Sequence, residues 1–314
     1  MTATYHESDG VTLYKANALD LPLADSSVDL VVTSPPYFGL RSYKDGGDHY
    51  DGQIGAEATP TEFVDSLIAA TREMIRVTKP TGSIWVNLGD KYVNKALTGI
   101  PWRYALRCVD DLGLTLRAEV VWSKPNGLPE SVKDRVRRSH ETWFHFTLGS
   151  RYYSAVDEIR EPHVTADRKG ERRSYPPGSA SSMSADGEHQ SMTGPFAGLP
   201  LNPLGKLPGS VWTIPAEPLR VPEELGVKHF AAFPTEWPRR IIQGWSPEGG
   251  TVLDPFSGTG TTALVASVLG RHGIGVDMSE DYCRLAAWRT TDPKQRDKAA
   301  RQKYKAPKKQ ARDA

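Results

Sequence analysis

Between residues 28 and 87 the chain switches between two periodicities, and that switch constrains its fold more than any other feature. Residues 28–33, Val-Asp-Leu-Val-Val-Thr, form the kind of short Val/Leu run that is buried in a parallel sheet. The run stops before Pro35-Pro36, because two prolines cannot donate to a β-ladder. Thr59-Pro60-Thr61-Glu62 then announces a helix: Thr caps it, Pro suits the first helical position, and Glu lies three residues after the cap. Phe63, Val64, Leu67, Ile68, Thr71 and Ile75 follow on one face. After a turn at Lys79-Pro80-Thr81-Gly82, residues 83–87 read as the next strand. A strand–helix–strand unit of this kind implies a parallel sheet.

The rest of the chain extends the pattern. Strands are expected at 11–14, 116–122, 142–148, 251–253 and 273–276, and helices at 102–112, 234–244, 261–269 and from a Ser279 cap to about 289. Residues 154–210 have no sustained period, and a segment that long within a domain is functional or disordered. The 314 residues, 38% hydrophobic and 25% charged, suffice for a globular core. No apolar run nears the roughly 20 residues that span a bilayer, and MTATYHESDG lacks a signal peptide's basic and apolar regions, so a cytoplasmic location is expected. Cys108 and Cys283 cannot make a disulfide framework or a cysteine-based zinc site, and no metal is implied. A net charge of +1 confines any nucleic-acid surface to a local patch. From residue 294 to 312 nine Lys/Arg stand against one acid, Asp297, which fits either a solvated, frayed terminus or a phosphate-backbone contact.

Two stretches carry chemistry. In Val252-Leu-Asp254-Pro-Phe256-Ser257-Gly258-Thr259-Gly260-Thr-Thr262 a strand ends in an acid, a glycine turn follows and a helix begins. Glycines let a ligand approach the backbone, and the helix start offers free N–H groups. Asp277, at the end of the next strand, stands where ribose hydroxyls commonly donate to a carboxylate. Together these describe an adenosine-type cofactor site; the lesser alternative for the turn alone is an ordinary βα connection with a surface Asp. The second stretch, Thr33-Ser34-Pro35-Pro36-Tyr37, offers a rigid carbonyl acceptor at Pro35, a hydroxyl at Ser34 and a flat ring at Tyr37. That set suits an exocyclic amine on a base, and alone it also fits a structural turn or a proline-rich ligand.

Taken together and in this order, TSPPYFGLRSY, PNGLPESV and DPFSGTGTT make the chain resemble the amino-methylating DNA methyltransferases that use S-adenosylmethionine. More narrowly it resembles their permuted β group, in which the TSPPY block precedes the cofactor block. The resemblance implies an α/β fold with a doubly wound, mostly parallel, Rossmann-like sheet and an inserted irregular DNA-recognition region. It implies a catalytic half over 1–153, the target-recognition insertion over 154–210, a cofactor-binding half over 211–291 and a basic tail over 292–314. Ser34, Pro35, Pro36 and Tyr37 would be catalytic. Asp254, Phe256, Ser257, Gly258, Thr259 and Gly260 would line the methionine and sugar side of the cofactor, Asp277 would take the ribose hydroxyls, and Phe233-Pro234-Thr235 matches a further cofactor block. Asn17 stands where relatives usually carry an Asp that touches adenine, and nearby Asp20 could substitute.

DNA contacts are expected from Arg41, Lys133, Arg135, Arg137, Arg138, Arg172 and Arg173, with Arg160, Arg168 and Lys169 in the same irregular region. Asn87-Leu-Gly89-Asp90 would shape the base site or serve as structural support. His140 and His145 read as surface or packing residues, and Trp85, Trp122 and Trp143 as core. In the family, Ser before Pro-Pro-Tyr goes more often with N4 of cytosine and Asp with N6 of adenine. The resemblance thus implies site-specific cytosine-N4 methylation of double-stranded DNA by a monomer or homodimer from a bacterium, archaeon or phage. A cognate restriction endonuclease would be an optional partner. Adenine-N6 methylation is the alternative; an RNA methyltransferase or a non-catalytic DNA-binding homologue is further removed.

Overall fold

The computed structural model describes residues 4–39, 53–127, 130–163, 202–227 and 232–301, with the backbone of 44–45 and 48–49. The main sheet has nine strands: β1 (Thr4–Ser8), β2 (Val11–Lys15), β3 (Val28–Thr33), β4 (Thr78–Leu88), β5 (Thr115–Ser123), β6 (His140–Thr147), β7 (Val211–Thr213), β8 (Thr251–Asp254) and β9 (His272–Asp277). Their spatial order is β1-β2-β9-β8-β3-β4-β6-β5-β7. Only β1 and β6 run against the others. Six helices accompany them: α1 (Pro60–Val77), α2 (Ile100–Asp110), α3 (Glu236–Trp245), α4 (Thr261–Val268), α5 (Glu280–Thr291) and α6 (Pro293–Arg301).

Over residues 30–32 the side chains of β3 alternate between two cores, as the pleat requires, with the irregularity between Val28 and Leu30 placing Val28 on the side of Val31. Val28 and Val31 of β3 face α1 and α2, whereas Leu30 and Val32 face α3 and α4. Both faces are therefore covered, the condition under which a continuous Val/Leu strand is stable. The helix signal at residue 59 is realised as a full capping box, with Thr59 accepting from Glu62 N and Glu62 bonding back. On the other face Trp237 of α3 stacks between Trp143 and Trp212, with ring centroids 5.0 and 4.9 Å apart.

Several expectations need adjusting. The turn at 79–82 lies inside β4 as a bulge: Val28 pairs Thr78, yet Leu30 already pairs Ser83. α2 begins two residues early, because Pro101 can enter a first turn and Asp90 accepts from Gly99 N and Ile100 N. The start of the basic tail is an ordered helix, α6, with Ala299 buried and its carbonyl held by Arg239. The sequence pattern does not announce β1 and β7, which are only five and three residues long.

The chain divides into two compact units, Met1–Ile159 with Gly209–Ala314, and Arg160–Pro208. In the second, Glu161 and Lys206 form an antiparallel bridge. Among the described residues, no helix is long and apolar enough to cross a membrane.

Candidate active site

β3 and β8 are neighbours in parallel register, Leu30 opposite Val252 and Val31 opposite Leu253. From β3 the chain crosses by α1 to β4 on one side; from β8 it crosses by α4 to β9 on the other. Their C-terminal ends thus bound the crevice where the strand order reverses, the usual ligand position in an open α/β sheet. This brings TSPPY and DPFSGTG together although they are far apart in the chain. The joint is a hydrogen bond: Thr33 Oγ1 donates to Asp254 Oδ1 over 2.7 Å.

Asp254 is fully buried. Besides Thr33 it accepts from Phe256 N at 3.1 Å and from Thr262 Oγ1 at 2.9 Å. Expected to line the cofactor, it instead has both oxygens engaged by protein groups and holds the two loops together. Burial pushes its carboxyl up to about 6, against the pull of these donors.

The glycine turn keeps room beside it. Gly258 has φ +49°, and the nearest atom to a Cβ placed there is 4.0 Å away, so this backbone borders open space. Gly258 N donates to Asp277 Oδ2 at 2.8 Å, and Ser279 N to Asp277 Oδ1 at 2.9 Å, which fixes the half-buried carboxylate at the end of β9. Among the described residues the buried Ser257 hydroxyl has no hydrogen-bond partner. Ala16 N bonds Asp277 O, so Asn17 follows directly beside Asp277 at the same sheet edge. Asn17 Oδ1 accepts from Leu19 N in a local turn, and Asp20 is exposed. Phe233 is packed edge-on against Trp143, Pro234 is buried, and the buried Thr235 donates through N and Oγ1 to Glu217.

On the catalytic side Ser34 is half-buried and Pro35 buried. Tyr37 is tied down at its hydroxyl, 2.7 Å from Glu141 Oε2 and 2.9 Å from the Asn87 side chain. The single hydroxyl hydrogen goes to the carboxylate, the stronger acceptor. Lys124 pairs with the other Glu141 oxygen and lies 4.1 Å from the Trp122 ring centroid. Gly89 lies under the Tyr37 ring: a Cβ there would be 2.6 Å from Cε2. Asn87 and Gly89 thus belong to this pocket, whereas Asp90 caps α2 and pairs with Arg138. Glu141 escaped the sequence reading because β6 is antiparallel, which brings its first residues to the functional edge, where Lys124 follows the end of β5.

The basic segment after β5 is partly committed to the protein itself. Arg135 stacks on Tyr92 at 3.7 Å and pairs with Glu130, Arg138 pairs with Asp90, and Arg137 reaches Gly127 O; Lys133 is exposed. Arg160 donates to Gly205 O within the second unit. Arg41, Arg168, Lys169, Arg172 and Arg173 lie outside the described residues. His145 is buried, stacked on Trp85 at 4.4 Å and bonded to Ser83, and burial pushes it down to about 3. Cys108 is likewise buried, its thiol pushed up to about 12.

The sequence model of the N6/N4 DNA methylase family matches residues 28–287, which include both motifs. The chain belongs to this family. This DNA methylase is 33% identical to the type II methyltransferase M.SmaI of Serratia marcescens, over 83% of this chain and 84% of that one. It is 34% identical to M.XycI of Xanthomonas campestris pv. cyanopsidis, over 88% and 87%. Among solved structures, the fold matches the PvuII DNA methyltransferase (cytosine-N4-specific) with a TM-score of 0.65 and 21% identity, covering 95% of this chain and 90% of that one. A DNA modification methylase of Thermus thermophilus, solved with S-adenosyl-L-methionine and titled putative, matches with a TM-score of 0.56 and 23% identity, over 88% and 92%. The mostly parallel α/β sheet is thus the fold of this methylase family.

Proposed function

We propose that this DNA methylase transfers a methyl group from S-adenosylmethionine to N4 of cytosine at a specific site in double-stranded DNA. The observation that carries the reading is the junction at Thr33 and Asp254, which sets an amine-binding loop beside a glycine turn suited to a nucleoside cofactor. The turn fits that cofactor: Gly258 borders open space, Ser257 has a hydroxyl without a partner among the described residues, and Asp277 is a fixed carboxylate at the strand end. Asp277 would hold the ribose, Phe256 to Gly260 the methionine and sugar side, Phe233 to Thr235 the neighbouring wall, and Asn17 or Asp20 the adenine. When bound, the cofactor supplies a methyl electrophile that needs no covalent enzyme intermediate.

What the protein must supply is an amine lone pair aimed in line at that methyl. Ser34 Oγ and the Pro35 carbonyl are two adjacent acceptors for the amine hydrogens. Bonds to both draw the lone pair out of conjugation with the ring and stabilise positive charge building on nitrogen. Tyr37, with its hydroxyl held by Glu141, offers a ring face to a base flipped out of the duplex. Ser at position 34, rather than Asp, favours cytosine, and the PvuII enzyme named above acts on cytosine N4. Lys133 and Arg137, exposed beside this edge, would contact phosphates, with Arg135 and Arg138 holding their loop. Arg41, Arg160, Arg172 and Arg173 complete the proposed DNA contacts, and residues 154–210 would read the site. Relatives called type II methyltransferases make a restriction–modification role, with a cognate endonuclease, the expected setting, in a bacterial cytoplasm.

The test is product chemistry. Duplex DNA is incubated with the protein and isotopically labelled S-adenosylmethionine, then digested to nucleosides. Label in N4-methyldeoxycytidine supports the reading; label in N6-methyldeoxyadenosine assigns the alternative base; no label in DNA, with label in RNA incubated in parallel, refutes a DNA substrate.

A further inference from the structure

Arg289, in the last turn of α5, is a buried cation. It is 4% exposed, and among the described residues no carboxylate forms an ion pair with it. Glu217, the acid whose field acts on it, is occupied by Thr235 and Lys298. Nη1 donates to Thr259 Oγ1 at 2.6 Å and to Thr261 Oγ1 at 2.7 Å, while Nε has no acceptor among the described residues. Burial pulls the guanidinium down to about 10, which still leaves it charged at neutral pH. An uncompensated buried charge is expensive and calls for a use.

The two threonines flank Gly260, the left-handed cap of α4 (φ +73°). A Cβ at Gly260 would lie 2.9 Å from Ala286 Cβ, so α5 presses directly on the turn. Each threonine oxygen accepts from Arg289, which turns both hydroxyl hydrogens away from it. The oxygens are 3.3 Å apart, so one hydroxyl can donate to the other and a single O–H is left to donate elsewhere. The first N–H groups of α4 lack intrahelical acceptors as well. These donors and the Arg289 charge thus share one sign, positive, while the carboxylate at this turn, Asp254, is occupied by Thr33, Phe256 N and Thr262. S-adenosylmethionine has two cationic centres, sulfonium and ammonium, and a single anion, its α-carboxylate.

We propose that Arg289 is a positioning residue that orients the cofactor, drawing its α-carboxylate to the start of α4 through Thr259 and Thr261 and leaving the sulfonium directed away. The inference rests on the cofactor reading above. It predicts that affinity depends on the carboxylate and that this dependence resides in the charge of Arg289.

The experiment compares binding of S-adenosylmethionine and decarboxylated S-adenosylmethionine by calorimetry, for the wild type and Arg289→Gln. Glutamine removes the charge and keeps an amide donor on a side chain two atoms shorter. The wild type should prefer the carboxylated compound by about tenfold or more, and Arg289→Gln should abolish most of that preference while binding the decarboxylated compound about as before. Equal binding of the two compounds by the wild type overturns the inference and needs no variant. So does a folded Arg289→Gln protein that loses affinity for both compounds alike, or that keeps the preference. Failure of the wild type to bind either compound refutes the cofactor reading itself, and this inference with it.

Discussion

Tyr37 is fixed at both ends, its hydroxyl by Glu141 and its ring edge by the bare backbone of Gly89. A role in stacking the target base makes the ring the essential part and the hydroxyl a positioning device. Tyr37→Ala should therefore lower kcat/KM for DNA by about 1–3 kcal/mol, or roughly 5- to 150-fold, and leave cofactor affinity within about twofold. Gly89→Ala should act in the same direction, because its methyl displaces the ring. Steady-state kinetics beside calorimetry checks both; an unchanged rate in Tyr37→Ala excludes the stacking role. Asp277→Ala should do the reverse, weakening cofactor binding by about 1.5–3 kcal/mol, the range for hydrogen bonds to a charged group. The types of these residues were legible in the sequence, since Ser-Pro-Pro-Tyr and a strand-end Asp announce their chemistry locally. Glu141, Lys124 and Arg289 were not, because their significance comes from partners distant in the sequence.

At the scale of elements, the catalytic strand and the cofactor strand are joined through one buried carboxylate. Thr33→Val removes the 2.7 Å donor to Asp254 and should cost about 1–3 kcal/mol of stability, read by denaturant unfolding. Asp254 also sets a pH dependence. Its carboxyl is raised from the ordinary 3.8 to about 6 in the folded protein. Between these values the folded state holds the proton more tightly than the unfolded state. Stability from this group is therefore complete below about 4 and is lost as pH rises to about 6. Relative to Asp254→Asn, which carries no titrating group, the wild type should lose on the order of 3 kcal/mol across that interval. Unfolding curves for the two proteins at pH 4, 5 and 6 test the sign. Elsewhere the elements followed local rules: the capping box at Thr59 formed as its residues dictate, and Thr59→Ala should cost about 1 kcal/mol. The misplaced boundaries have tertiary causes, such as Asp90 at the start of α2 and the burial of Ala299 on α6.

For the whole molecule, the order of motifs along the chain already contained the architecture. A catalytic strand early and a cofactor strand late can share a crevice only if they become neighbours, and β3 and β8 do. The short edge strands β1 and β7 were invisible because three to five residues without a clean alternation carry no periodic signal. The central claim is that this junction methylates DNA through Ser34. It is tested most directly by single-molecule sequencing of genomic DNA from cells expressing the chain, beside cells expressing Ser34→Ala. A modified cytosine in one defined sequence context is expected, absent or strongly reduced with Ser34→Ala. Unmodified DNA despite folded protein that binds S-adenosylmethionine, or a modification that persists in Ser34→Ala, would contradict it.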